Sequence, residues 1–185
     1  MVVAEGMSER DAKERLIVAL DYPTLDEARA AATQLAAEVG VFKIGLELYV
    51  GHGPEAVGLG EEFARPVFLD LKLHDIPATV GRAVRRAATL GVRFLTVHAS
   101  GGRAMLQAAV KEARTADSPM DIVAVTVLTS LDRSDLEDVG VSEAPAKQAK
   151  QAAQGKRATS SRAARKLQKV LNRQSFGDVV VQPKT

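Results

Sequence analysis

Between Leu16 and Leu128, five short apolar runs alternate with four stretches of helical period. This alternation constrains the fold more than any other feature. Strands that are apolar on both faces, each returned by a helix, belong in a parallel sheet. The first run is Leu16–Asp21 (LIVALD), closed by a turn at Tyr22-Pro23. From Thr24 to Val39 an Ala-rich stretch places Leu25, Ala28, Ala32, Leu35 and Ala36 at helical spacing, with Thr24 as N-cap and Gly40 as the closing residue. Phe42–Leu48 reads as the second strand, and a helix follows from about Pro54 to Phe63. Val67–Leu73 (VFLDLKL) is the third strand, after which Pro77 opens a helix that runs to Leu90 and stops at Gly91. Phe94–Ala99, a helix over Gly102–Thr115 and a fifth strand over Ile122–Leu128 complete the pattern. Such helices fit a right-handed βαβ succession. A (β/α)8 barrel and a doubly wound sheet satisfy it equally.

The rhythm stops near Pro145, and the charge changes at the same place. Residues 1–145 hold 15 Lys and Arg against 22 Asp and Glu, a balance of −7. Residues 146–185 hold 10 Lys and Arg and one acid, Asp178, a balance of +9. The overall charge of +2 averages these two unlike pieces. The expected organisation is a polar N-terminal extension over 1–13, an incomplete barrel of about five βα units over 14–145, and a basic low-complexity tail over 146–185, helical or disordered. Such an open sheet leaves strand edges and apolar surface exposed, so poor solubility or obligate association is expected.

Charges set inside the apolar strands carry the chemistry. Asp70 and Lys72 are two apart in VFLDLKL, which directs them to the same side of that strand, and Asp75 follows its end. Asp21 ends the first strand, Lys43 lies in the second, His98 in the fourth, and Thr129 stands just past the fifth. All except Lys43 lie in the C-terminal part of a strand or beyond it, on the face where parallel α/β folds build active sites. A lone buried charge is costly, so these groups must be paired or used. A structural ion network is the plain alternative, and its weakness is that all the charges gather at one rim.

The segment Phe68–Val80, FLDLKLHDIPATV, resembles the signature of the orotidine 5'-phosphate decarboxylase family, whose core is Asp-x-Lys-x-x-Asp. The likeness extends to ALD at 19–21, FKIGLELY at 42–49, TVHASGG at 96–102 and VTVLTS at 125–130, in the family's order. Related sugar-phosphate decarboxylases and aldolases share Asp-x-Lys-x-x-Asp, but usually lack the LHDIP continuation and bind magnesium. Ala78 stands where Asn is common in the family.

The resemblance implies a (β/α)8 barrel that dimerises and turns orotidine 5'-phosphate into UMP and carbon dioxide without a metal or cofactor. It implies Lys72 as proton donor to C6 of the pyrimidine, Asp70 against the substrate carboxylate, and Lys43 completing the charged array. Asp75, with Ile76 and Thr79, is implied to reach into the partner subunit's site. Asp21 and Lys43 would hold the ribose, and Thr129 would contact the pyrimidine region. An ammonium near a carbanionic carbon is worth about 4 kcal/mol at 4 Å and an effective dielectric of 20, which explains the choice of lysine. No sixth strand, phosphate-gripping loop or terminal Gly-Arg pair of the family is recognisable after Pro145. A second reading is therefore a truncated or frame-shifted, non-catalytic relative whose basic tail binds an acidic partner.

The remaining features take plainer readings. His74 is as well suited to structural hydrogen bonding as to catalysis, His98 reads as a core histidine, and His52 as an exposed residue of a Gly-rich loop. Three scattered histidines and no cysteine give no metal-site spacing. Gly101-Gly102 reads as a tight strand-to-helix turn. The tail has one aromatic residue, Phe176, so base stacking is poorly served and nucleic acid is not expected as a partner. No apolar run approaches the roughly 18 residues of a membrane span. A cytoplasmic setting is expected from the absent cysteines and the polar N-terminus.

Overall fold

A computed structural model describes residues 9–116, 120–141 and 180–181. Five strands follow one another in parallel: β1 (Ile17–Ala19), β2 (Val41–Ile44), β3 (Val67–Leu73), β4 (Phe94–His98) and β5 (Asp121–Val125). A two-residue strand, β6 (Val180–Val181), pairs in parallel with β1 on its other side, giving the order β5-β4-β3-β2-β1-β6. Each strand from β1 to β5 lies beside its predecessor in the chain, with no reversal of direction. A doubly wound sheet requires such a reversal. The sheet is therefore wound one way, as a barrel is. The expected basic tail over 146–185 lies outside the described residues, apart from Val180–Val181.

Helices return the chain between strands: α1 (Glu9–Glu14) before β1, α2 (Leu25–Leu35) after it, α3 (Leu46–His52) and α4 (Pro54–Glu62) after β2, α5 (Pro77–Ala88) after β3, α6 (Gly102–Thr115) after β4 and α7 (Arg133–Asp138) after β5. Thr24 caps α2 by accepting from the Glu27 amide, as its position predicts. Pro77 begins α5, where its missing N–H costs nothing.

Alternation along each strand divides the side chains into two faces. Val18 and Leu20, Phe42 and Ile44, Val67 and Leu69, Leu95 and Val97, and Ala124 are buried on one side. There they form one core with Leu25, Ala28 and Ala32 of α2, Val80 and Val84 of α5, and Met105 and Ala109 of α6. Burying each large aliphatic side chain contributes about 1.5–3 kcal/mol, so this face holds the helices to the sheet. The other face carries Lys43, Phe68, Asp70, Phe94 and Thr96.

Four local expectations change, the first being the fifth strand expected over 122–128, which runs instead from Asp121 to Val125. Phe42–Leu48 is not one strand, because β2 ends at Ile44 and α3 begins at Leu46. Gly40 does not end α2 in a left-handed conformation; α2 gives way to a 3-10 turn over Ala36–Glu38. Gly40 instead lies against the backbone of Glu14, where a Cβ would meet the Glu14 carbonyl. His52 is the last residue of α3 and half-buried rather than exposed in a loop.

Candidate active site

Strand register explains which residues meet. Ala19 pairs with Lys43, Lys43 with Phe68, Phe68 with Phe94, and Phe94 with Asp121, so these five share one row across the inner face. Two residues further along the strands stand Asp21, Gly45, Asp70, Thr96 and Val123. Phe68 and Phe94 meet edge to face at 6 Å or less (centroids 5.8 Å apart) within the lower row. Lys43 rises from that row to the next. Its Nζ lies 2.8 Å from Asp21 Oδ1 and 3.9 Å from Asp70 Oδ2.

Gly45 makes room for this. A Cβ there would stand 2.9 Å from Asp21 Oδ1 and 3.5 Å from Lys43 Nζ. The absence of a side chain thus lets the ammonium and the carboxylate meet above the strand.

Lys72 joins from the other side, with Nζ 2.8 Å from Asp70 Oδ2. Asp70 and Lys72 do come together, but simple period-two alternation is not the whole cause. β3 advances from Leu69 to Leu73 while β4 advances only from Leu95 to Val97, so β3 bulges at this point. Within the bulge Lys72 has a φ of 51°, a left-handed conformation that costs a non-glycine residue about 1–2 kcal/mol.

The result is a line of alternating charge, Asp21–Lys43–Asp70–Lys72, at the C-terminal end of the sheet. The inner pair is well shielded, with side chains of Lys43 and Asp70 exposed by 16% and 14%, while Lys72 at 31% faces the open side. Each carboxylate is matched by a cation, which offsets the cost of burial.

Asp75, Ile76 and Thr79 lie apart from this line. Asp75 Oδ1 accepts from the amide of Ile76 at 2.6 Å, and Asp75 through Ala78 are exposed at the entrance to α5. Thr79 stands in the first turn of α5. Ile76 is 64% exposed. Thr129 lies exposed on the turn after β5, and no hydrogen bond links it to the charged line.

His74 and His98 stack at 5.1 Å between ring centroids. Burial, then the neighbouring His74 and Lys72, hold the His98 imidazole below its ordinary pKa of 6.5. Gly101-Gly102 is a turn: Gly101 packs on Met105 too closely for a Cβ, and Gly102 has a φ of 80°. Among the described residues no group of His, Asp and Glu is arranged to hold a metal ion, and no helix is long and apolar enough to cross a membrane.

Sequence reasoning missed Gly45 and Thr96. Gly45 was readable only as a strand residue, whereas Thr96 carried a signal: a hydroxyl between Leu95 and Val97 in an otherwise apolar strand.

A one-way parallel sheet with paired lysines and aspartates at its C-terminal rim is the arrangement of the (β/α)-barrel class. The model of the orotidine 5'-phosphate decarboxylase / HUMPS family matches residues 14–180, and the chain belongs to that family. It is 52% identical over 132 residues to an orotidine 5'-phosphate decarboxylase of Anaeromyxobacter sp. (strain K), covering 71% of this chain and 57% of that protein. It is 46% identical over 147 residues to one from Moorella thermoacetica, covering 76% and 58%. The chain thus spans a little over half the length of these curated relatives. The crystal structure of orotidine 5'-phosphate decarboxylase from Lactobacillus acidophilus superposes with a TM-score of 0.68 at 32% identity, covering 75% of this chain and 64% of that one.

Proposed function

We propose that this protein decarboxylates orotidine 5'-phosphate to UMP and carbon dioxide, a step of pyrimidine nucleotide synthesis in the cytoplasm. The observation that carries the reading is the line Asp21–Lys43–Asp70–Lys72, with Lys72 Nζ on Asp70 Oδ2 at 2.8 Å, in a chain of this family. In the reaction the bond between C6 and the carboxylate carbon breaks, carbon dioxide leaves, and the electron pair stays on C6. The Lys72 ammonium stabilises that pair and then gives its proton to C6; solvent restores the proton. Asp70 lies beside the departing carboxylate and fixes the Lys72 ammonium, so its charge needs no reorganisation as the carbanion forms. Lys43 and Asp21 hold the ribose hydroxyls, and Thr129 borders the pyrimidine.

The same reading makes the molecule a homodimer in which Asp75, Ile76 and Thr79 complete the partner's site. Its support is the exposed rim from Asp75 to Ala78, with Ile76 64% exposed.

The test is the loss of orotidylate ultraviolet absorbance with purified chain, beside Lys72→Ala. Turnover abolished by that substitution is the expected result. Folded wild-type protein without turnover would instead favour the non-catalytic relative with a basic, acid-binding tail.

A further inference from the structure

The hydroxyl of Thr96 touches both members of the Asp70–Lys72 pair. Thr96 is 2% exposed and is the one buried polar residue among the described residues. Its Oγ1 accepts from the backbone N–H of Lys72 at 2.8 Å and donates to Asp70 Oδ1 at 2.9 Å. The direction of this relay is fixed by chemistry. An amide can only donate, a carboxylate can only accept, and the hydroxyl has one proton.

The relay sits where the strand ladder fails. At the bulge between Leu69 and Leu73 the regular pairing of β3 with β4 is interrupted. The Lys72 amide would be left without a ladder partner there, and an unpaired buried N–H is strongly disfavoured. Thr96 supplies that partner from β4 and so holds Lys72 in its left-handed conformation. With the same atom it occupies Asp70 Oδ1, leaving Oδ2 to face the Lys72 and Lys43 ammonium groups.

We infer that Thr96 is a positioning residue: its hydroxyl couples the backbone of the proton-donating lysine to the orientation of the neighbouring carboxylate. This rests on the decarboxylase reading for its catalytic consequence, though not for its structural one. Its hydrogen bonds go to Asp70 and to the Lys72 amide, so its effect is transmitted through those two residues. Misplacing a reacting group by about 1 Å costs on the order of a hundredfold in rate.

Two variants of the full chain test it. Thr96→Val keeps the shape and removes the hydroxyl; Thr96→Ser keeps the hydroxyl and removes the methyl. The expected result for Thr96→Val is a kcat on orotidylate lowered about 10- to 100-fold, with KM changed less than about threefold. Thr96→Ser should restore kcat to within about threefold. Amide hydrogen exchange at Lys72 should quicken by about tenfold or more in Thr96→Val and stay slow in Thr96→Ser. Unchanged kcat in Thr96→Val, or equal losses in both variants, would overturn the inference, the latter assigning the effect to methyl packing. A folded wild-type chain inactive on orotidylate would sink the functional reading alone. Exchange at Lys72 then decides the inference by itself: unaltered exchange in Thr96→Val overturns it, and accelerated exchange supports it.

Discussion

Lys72 stands in a place where its charge has large leverage. Its Nζ is anchored on Asp70 at 2.8 Å, yet it is the more open member of the pair. A charge held in advance at a shielded rim stabilises a developing carbanion without the reorganisation that water would require. Lys72→Ala is therefore expected to lower kcat on orotidylate by about 10³-fold or more, in an absorbance assay that follows substrate loss. Stability should change much less, since Lys72 is partly exposed and its loss leaves Asp70 still facing Lys43. At the same scale, His98 gives the molecule a pH dependence. Its folded pKa lies below the ordinary 6.5, so just under pH 6.5 the unfolded chain binds more protons than the folded one. The stability contributed by the neutral imidazole is full above 6.5 and lost as pH falls through that window. Urea unfolding at about pH 7.5 and about pH 5.5 should show a steeper acidic decline for wild type than for His98→Gln. Equal declines would exclude His98 as the source. The charged residues of this rim were legible in the sequence because Asp and Lys inside apolar strands demand a reason. Thr96 was harder to see, because threonine is a normal strand residue and its partners depend on a bulge that no pattern announces.

At the scale of elements, close approach explains what periodicity could not. Leu46, Leu48 and Val50 alternate as a strand would, which is why Phe42–Leu48 reads as one. In the folded chain only Leu48 of the three is buried, while Leu46 and Val50 are 50% and 79% exposed on α3. Gly45 separates the two elements, and its role is spatial: it clears the path between Asp21 and Lys43. Gly40 is similar. Its meaning lies in the backbone of Glu14, more than twenty residues away, and not in the helix that precedes it. The Gly40 amide also donates to the Leu16 carbonyl at 3.0 Å, tying the start of β2 to the start of β1. A Cβ at this position would meet rigid backbone rather than a side chain that can turn aside. Gly40→Ala is expected to cost about 1–3 kcal/mol in urea unfolding, with an unchanged slope, because the strain is local. A change under about 0.5 kcal/mol would show that α1 yields freely to the added methyl.

At the scale of the molecule, composition and period gave a parallel α/β sheet, and the unbroken order β1 to β5 decided between its two windings. That order is a three-dimensional fact, encoded in which surfaces pack and not in the period of any one segment. The same sheet displays its charged line on the inner face and the Asp75–Ala78 segment at the rim, and these two features are not in contact through any hydrogen bond or ion pair. On the proposed dimer reading, a second copy would bring Asp75 to the charged line. A two-fold dimer would place each rim segment in the other subunit's site, since a symmetric interface is reciprocal. This has a sharp consequence for mixtures of variants. Lys72→Ala and Asp75→Asn chains should each be inactive alone, because every site lacks one group. Unfolded together in equal amounts and refolded, half of the dimers are mixed, and each mixed dimer has one site with both Lys72 and Asp75 intact. Activity on orotidylate should then return to roughly a quarter of wild type. If Asp75 served its own chain's site, every site in the mixture would still lack a group. The refolded mixture would then stay inactive.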